Sequence, residues 1–132
     1  MNRLQGLPPL IDEHTRVLVL GSFPGVASLR AQQYYGHPQN HFWKILGVLW
    51  QQPLMQATYE ERVSALHQHG LGVWDVYAAC ERKGSLDTAI RSAELNDFSM
   101  LQRQSPALQA VGHNGGESFR HARHTSVLGL PV

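Results

Sequence analysis

Val17-Leu18-Val19-Leu20, running directly into Gly21-Ser22-Phe23-Pro24-Gly25, is the stretch that decides the fold. Four apolar residues without polar alternation are the pattern of a strand covered on both faces, as in a parallel sheet flanked by helices. The glycine-bracketed turn ends that strand and exposes backbone N–H groups at the carboxyl edge of the sheet, where open α/β folds place their ligands. Two flexible glycines, a rigid proline, the Ser22 hydroxyl and the Phe23 ring together suit a flat ligand such as a nucleobase. The same five residues also make an ordinary tight turn.

Outward from this turn, the pattern alternates between strand and helix. Leu4 to Thr15, with Pro8-Pro9, reads as a lead-in without regular structure. Phe42, Ile45, Leu46 and Leu49 sit three and four apart and predict a helix over Asn40 to Leu49, with Asn40 at its start. Thr58-Tyr59-Glu60-Glu61 has capping-box spacing, so a helix should run to His69 and close at Gly70. Gly72 to Tyr77 reads as a second strand and Ala107 to Val111 as a third, with Asn96 capping a short helix between them that ends near Gln104. A helix over Glu117 to His124 leads to Leu130-Pro131-Val132, which reads as the beginning of a truncated last strand. The expected architecture is one three-layer α/β/α domain over 1–132, with right-handed crossovers.

Composition narrows the function. A chain of 132 residues with 42% apolar content can bury one core, and its formal charge of +1 does not by itself announce a nucleic-acid binder. The single cysteine, Cys80, rules out an intrachain disulfide and a Cys-ligated metal centre, and fits a reducing cytoplasm. Met1 to Gly6 holds one Arg and no apolar run, so neither a signal peptide nor a membrane anchor is expected, and the protein should be soluble. His121 and His124 are three apart, but no carboxylate or Cys completes a metal set with them and His113.

Motif order adds specificity. Gly21-Ser22-Phe23-Pro24-Gly25, Ser28-Leu29 and Tyr34-Tyr35-Gly36-His37-Pro38-Gln39-Asn40-His41-Phe42-Trp43 together resemble the first motif of the hypoxanthine-DNA glycosylase branch of the uracil-DNA glycosylase superfamily. Trp74-Asp75-Val76, Cys80, Arg82, Gly84-Ser85-Leu86-Asp87 and Ile90 are similar to its next block, and Asn114-Gly115 to a later one. The resemblance implies a parallel sheet of about four strands. It also implies a monofunctional base-excision repair enzyme that removes deaminated bases such as hypoxanthine or uracil from DNA without metal or cofactor; a monomer is expected. Many superfamily members place the water-positioning Asp or Asn where Phe23 stands, and in this branch the role resembles that of Asn40. By the same resemblance, Gly21, Ser22, Phe23, Pro24, Gly25, Tyr35 and Asp75 are candidates for binding the base, and His37, Ser85 and Asn114 for contacting DNA. Family members continue into a Ser/Pro-rich loop that grips phosphates, and the sequence stops at Val132 ahead of it.

An Asn amide positions water without taking its proton, so such catalysis depends on stabilising the departing base, for which backbone N–H groups from Ser22 to Gly25 are candidates. Each residue also has a plain structural reading: Asn40 as a helix cap, Phe23 and Tyr35 as core aromatics, Ser85 as a cap for the turn after it, Asp75 as a partner for loop amides. Two other functions fit the pattern. One is a truncated or degenerate domain that binds a nucleobase or DNA without cleaving it, and the other is a hydrolase of free nucleosides.

Overall fold

In the computed structural model, which describes residues 3–126 and 128–132, the decisive apolar run is strand β2 (Val17–Gly21), with Leu18 and Leu20 fully buried. β2 lies at the centre of a three-stranded parallel sheet, with β3 (Leu71–Asp75) on one side and β6 (Ala110–His113) on the other. Helix α3 (Tyr59–Gln68) packs against β3, and the short α5 (Gly116–Phe119) against β2 and β6. The α/β arrangement is the expected one, with three parallel strands among the described residues instead of four. Where the fourth was expected, no strand forms, but the Pro131 carbonyl accepts the Val111 N–H at 2.9 Å on the β6 side of the sheet. One face of β2 is only partly covered, since Val17 remains 38% exposed.

The expected second strand is in fact two strands. Gly72 to Cys80 is nearly continuously apolar, which hides a break at Val76: β3 ends at Asp75, and β4 (Tyr77–Glu81) leaves for a separate antiparallel sheet between β1 (Arg3–Gln5) and β5 (Arg91–Leu95). Neither β1 nor β5 shows an apolar signature, because both lie at sheet edges and most of their residues are exposed. The lead-in is ordered by pairing: Leu10 bridges Val73, and Tyr34 Oη donates to the carbonyls of Leu7 and Pro8 at 3.0 and 2.8 Å.

The capping box forms as its spacing predicts. Thr58 Oγ1 accepts the Glu61 N–H at 3.1 Å, Glu61 Oε1 accepts the Thr58 N–H at 2.9 Å, and Gly70 closes the turn at φ +68°. Helix α2 (Phe42–Trp50) turns a different face inward from the one expected. Trp43 and Leu46 are buried, with Trp43 Nε1 donating to the Tyr34 carbonyl at 3.0 Å, whereas Ile45 and Leu49 are 61% and 69% exposed. The bulk of the indole and its one N–H partner decide that rotation.

Asn96 caps no helix: its Nδ2 donates to the Asp75 carbonyl at 2.8 Å, and α4 (Leu101–Gln104) begins five residues later. The third strand starts at Ala110, three residues beyond the expected start. The last expected helix divides into α5 and α6 (Ala122–Ser126). Helix α1 (Val26–Ala31), directly after the glycine-bracketed turn, is the element that sequence reading did not foresee near the site. Among the described residues no helix is long and apolar enough to cross a membrane.

Candidate active site

The parallel sheet brings three strand ends together. Gly21 closes β2, its register partner Asp75 closes β3, and Asn114 follows β6 with its N–H donating to the Leu20 carbonyl at 2.7 Å. These three border a cavity of about 320 Å³ at the carboxyl edge of the sheet, where an open α/β fold is expected to bind. Ser22, Phe23, Pro24 and Gly25 form one wall, and Tyr35, His37 and Asn40 another, with Ser85 beside them. All eleven residues singled out from the sequence therefore face one space.

The wall from Ser22 to Gly25 is rich in unengaged donors. Pro24 has no N–H, so three remain, on Ser22, Phe23 and Gly25, and among the described residues none of the three donates to a protein acceptor outside the strand ladders. The next N–H, of Val26, is taken by Ser85 Oγ at 2.8 Å. Ser85 thus holds the start of α1 from across the chain instead of capping the turn after itself. Ser22 Oγ donates to Asp87 Oδ1 at 2.6 Å, tying the same wall to the loop after β4. Arg82, 4% exposed, donates from Nη2 to the Pro24 carbonyl at 2.7 Å.

Both aromatic walls are backed from behind. The Arg82 guanidinium carbon sits 5.3 Å from the Phe23 ring centroid, and Tyr35 stacks on Phe42 with centroids 3.9 Å apart and planes 19° off parallel. Each ring has one surface engaged by protein, and both residues line the cavity. Tyr35 reaches its place with φ at +52°, an uncommon backbone conformation for a side chain of this size, and Asn114 Nδ2 donates to its hydroxyl at 3.2 Å. Burial pushes the Tyr35 phenol up to about 12, opposed by the Asn114 hydrogen bond and assisted by Asp75, so it stays protonated.

Asp75 is 6% exposed, and its Oδ2 is buried without a hydrogen-bond partner among the described residues. Burial pushes its carboxyl up to about 7, Asp87 adds to the rise, and Arg82 opposes it. Below that value the carboxyl is an uncharged acid that can both donate and accept.

Asn40 is exposed on the cavity wall, and its Oδ1 accepts the Phe42 N–H at 2.9 Å. The helix cap is His41, one residue later, so Asn40 is not the cap expected from the sequence; its i→i+2 bond leads the chain into α2 while the residue borders the cavity. His37 lies at the exposed rim, with Nδ1 accepting the Gln39 N–H at 3.1 Å. The other histidines weighed from the sequence do not line this cavity. His113 meets Ser118 Oγ at 2.8 Å and Thr125 Oγ1 at 3.0 Å, and His121 meets Tyr77 Oη at 2.8 Å.

Sequence reading missed Ser28, Tyr34 and Arg82 as parts of this site. Ser28 Oγ accepts the Gly36 N–H at 2.9 Å, closing the loop that carries Tyr35 onto α1. Their only signal was membership of the two motif blocks, since a buried Ser, Tyr or Arg by itself does not announce a site.

An α/β domain with a nucleobase-sized cavity at its strand ends is the class that fold and site define. Residues 8–124 match the family model of the Uracil DNA glycosylase superfamily, and the chain belongs to that superfamily. It is 46% identical over 114 residues to a protein of Methanosarcina barkeri (strain Fusaro / DSM 804) named Hypoxanthine DNA glycosylase, covering 86% of this chain and 72% of that one. A protein of the same name from Methanosarcina acetivorans is 41% identical over 111 residues, 84% of this chain and 70% of that one. The solution NMR structure of a Methanosarcina acetivorans protein assigned to the uracil DNA glycosylases superposes with a TM-score of 0.89 at 36% identity, covering 98% of this chain and 81% of that one.

Proposed function

We propose that this chain is a DNA glycosylase of base-excision repair, acting as a monomer, which hydrolyses the bond between sugar C1′ and a deaminated base, hypoxanthine first. Membership of the superfamily and the names of the relatives support the reaction class and the base. The observation that carries the reading is that Asn40, the glycine turn with its three N–H groups and the two backed aromatic residues line one cavity of about 320 Å³.

A base extruded from the helix enters between Phe23 and Tyr35, where stacking offsets part of the few kcal/mol that unstacking costs. Asp75 meets the base edge, accepting from a ring N–H and, as an uncharged acid, donating to the neighbouring carbonyl. Asn40 holds a water against C1′ through its amide without removing a proton, so attack follows departure of the base instead of driving it. The leaving base carries the electron pair of the broken C1′–N bond, and the N–H groups of Ser22, Phe23 and Gly25 face that developing charge. Each such donor is typically worth about 3 kcal/mol. His37 and Ser85 lie at the cavity wall, where the backbone flanking the flipped nucleotide must pass.

The test is single-turnover base release from oligonucleotides carrying one hypoxanthine or one uracil, with the wild type and Asn40→Ala compared at low salt. The mechanism requires loss of release in the variant, and equal release removes Asn40 from it. Salt-dependent binding with no abasic product from either protein would identify a binding domain instead, and equally fast cleavage of free deoxyinosine a nucleoside hydrolase.

A further inference from the structure

Arg82 is the strangest charged group in the molecule. It follows β4, is 4% exposed, and makes no salt bridge among the described residues, while its Nε and Nη1 are buried without partners. A guanidinium cannot shed its proton, so the protein carries a permanent, weakly compensated positive charge in its interior. One carbonyl and one ring compensate only part of the cost of burying that charge, since two of its nitrogens stay unpaired. The charge lies directly behind the cavity wall: Nη2 holds the Pro24 carbonyl at 2.7 Å, and the guanidinium stands 5.3 Å from the Phe23 ring centroid. Its influence reaches the cavity, since it opposes the rise in the Asp75 carboxyl.

We propose that Arg82 is a positioning residue whose buried charge also stabilises the anion of the departing base: it fixes the glycine turn through Pro24 and sets a positive potential behind the N–H groups of Ser22, Phe23 and Gly25. This rests on the glycosylase reading above. As the C1′–N bond breaks, the electron pair goes to the base, and a preorganised cation a few ångströms behind the wall lowers the energy of that state more than that of the neutral bound base. The cost of burying an incompletely paired guanidinium is thereby offset in the transition state.

The experiment varies the charge and the leaving group together. Arg82→Gln keeps a donor for the Pro24 carbonyl and removes the charge, and Arg82→Lys keeps the charge. Single-turnover release is measured for hypoxanthine and for 8-azahypoxanthine, which has nearly the same shape and departs as a more stable anion. Release of hypoxanthine should fall on the order of tenfold or more in the Gln variant, release of 8-azahypoxanthine should fall less, and the Lys variant should recover most of both. Equal losses for the two bases, or none, overturn the proposal and leave the glycosylase reading standing. Absence of release by the wild type overturns both.

A second measurement needs no turnover. The Asp75 carboxyl, which is faced by Asp87, Tyr34, Tyr35 and Arg82, should titrate higher in Arg82→Gln than in the wild type when followed by carbon NMR, and should return in Arg82→Lys. An unchanged midpoint shows that the charge does not reach the cavity and overturns the proposal by itself.

Discussion

Gly21 and Asp75 are register partners at the ends of β2 and β3, and a Cβ on Gly21 would stand 2.7 Å from Asp75 Oδ1 and 3.5 Å from the Tyr35 hydroxyl oxygen. Glycine is required here by close approach, not by backbone angle. Gly21→Ala should push a buried carboxyl out of place at a cost of about 1–3 kcal/mol. Base release should fall further than that loss of stability explains. Denaturant midpoints read the first effect and single-turnover rates the second; an unshifted midpoint would show that Asp75 moves freely.

Asp75 itself gives a pH dependence with a defined sign. Its folded value of about 7 lies above the ordinary 3.8, so between these limits the folded state holds a proton that the unfolded chain has released. Stability is greatest below the lower value and declines as pH rises toward about 7, beyond which the full penalty applies. Asp75→Asn removes the ionisable group, so stability should vary less between pH 5 and 8, with the variant gaining on the wild type toward pH 8. Release should show the same contrast: wild-type activity falls as the carboxyl ionises beside a departing anion, and the Asn variant stays flatter. Parallel profiles for the two proteins would remove Asp75 from both effects.

Tyr35 separates stacking from hydrogen bonding. Tyr35→Phe loses the bond from Asn114 and keeps the ring on Phe42, whereas Tyr35→Ala loses both. Stacking of a base on an aromatic side chain is worth about 1–3 kcal/mol, so the Ala variant should weaken binding of hypoxanthine DNA by about 5- to 150-fold while the Phe variant stays close to wild type. Binding titrations decide it, and an unaffected Ala variant would leave Tyr35 a structural residue.

Thr58 serves as a control far along the chain from the cavity wall. Thr58→Ala breaks the capping box of α3 and should cost about 1 kcal/mol, visible as a melting temperature lower by several degrees. Base release at a temperature where the variant remains folded should match wild type. A drop in release would mean that α3 communicates with the site through Tyr59, whose hydroxyl accepts the Tyr34 N–H at 3.1 Å.

How much of this was legible in the sequence follows from where each signal comes from. β2 and its turn were readable because a strand buried at Leu18 and Leu20 and a turn bracketed by Gly21 and Gly25 impose composition on the chain. The capping box was readable because both its partners are local. β5 was not, since an edge strand with four exposed residues carries no apolar pattern, and neither was the break at Val76, since both strands it separates are apolar. Within the site, the eleven residues came from motif order, while the contacts that hold them depend on partners distant in sequence. Ser85 on Val26 is 59 residues away, Arg82 on Pro24 is 58, and Ser22 on Asp87 is 65.

Asn40 combines two roles that a single alanine variant would confuse. Its Oδ1 accepts the Phe42 N–H at 2.9 Å, so Asn40→Ala strips an acceptor from the head of α2 and should cost about 1 kcal/mol whatever the chemistry. Asn40→Ser can keep an acceptor for that N–H while shortening the reach of the side chain and removing the amide that would hold water. If positioning water is what Asn40 does, both variants should lose base release to a similar extent, on the order of a hundredfold or more, and only Ala should melt earlier. Recovery of release in the Ser variant, together with its stability, would instead assign Asn40 to organising α2 and the loop that carries Tyr35. The water would then have to be held by another group on the cavity wall, of which Asn114 is the nearest in chemistry.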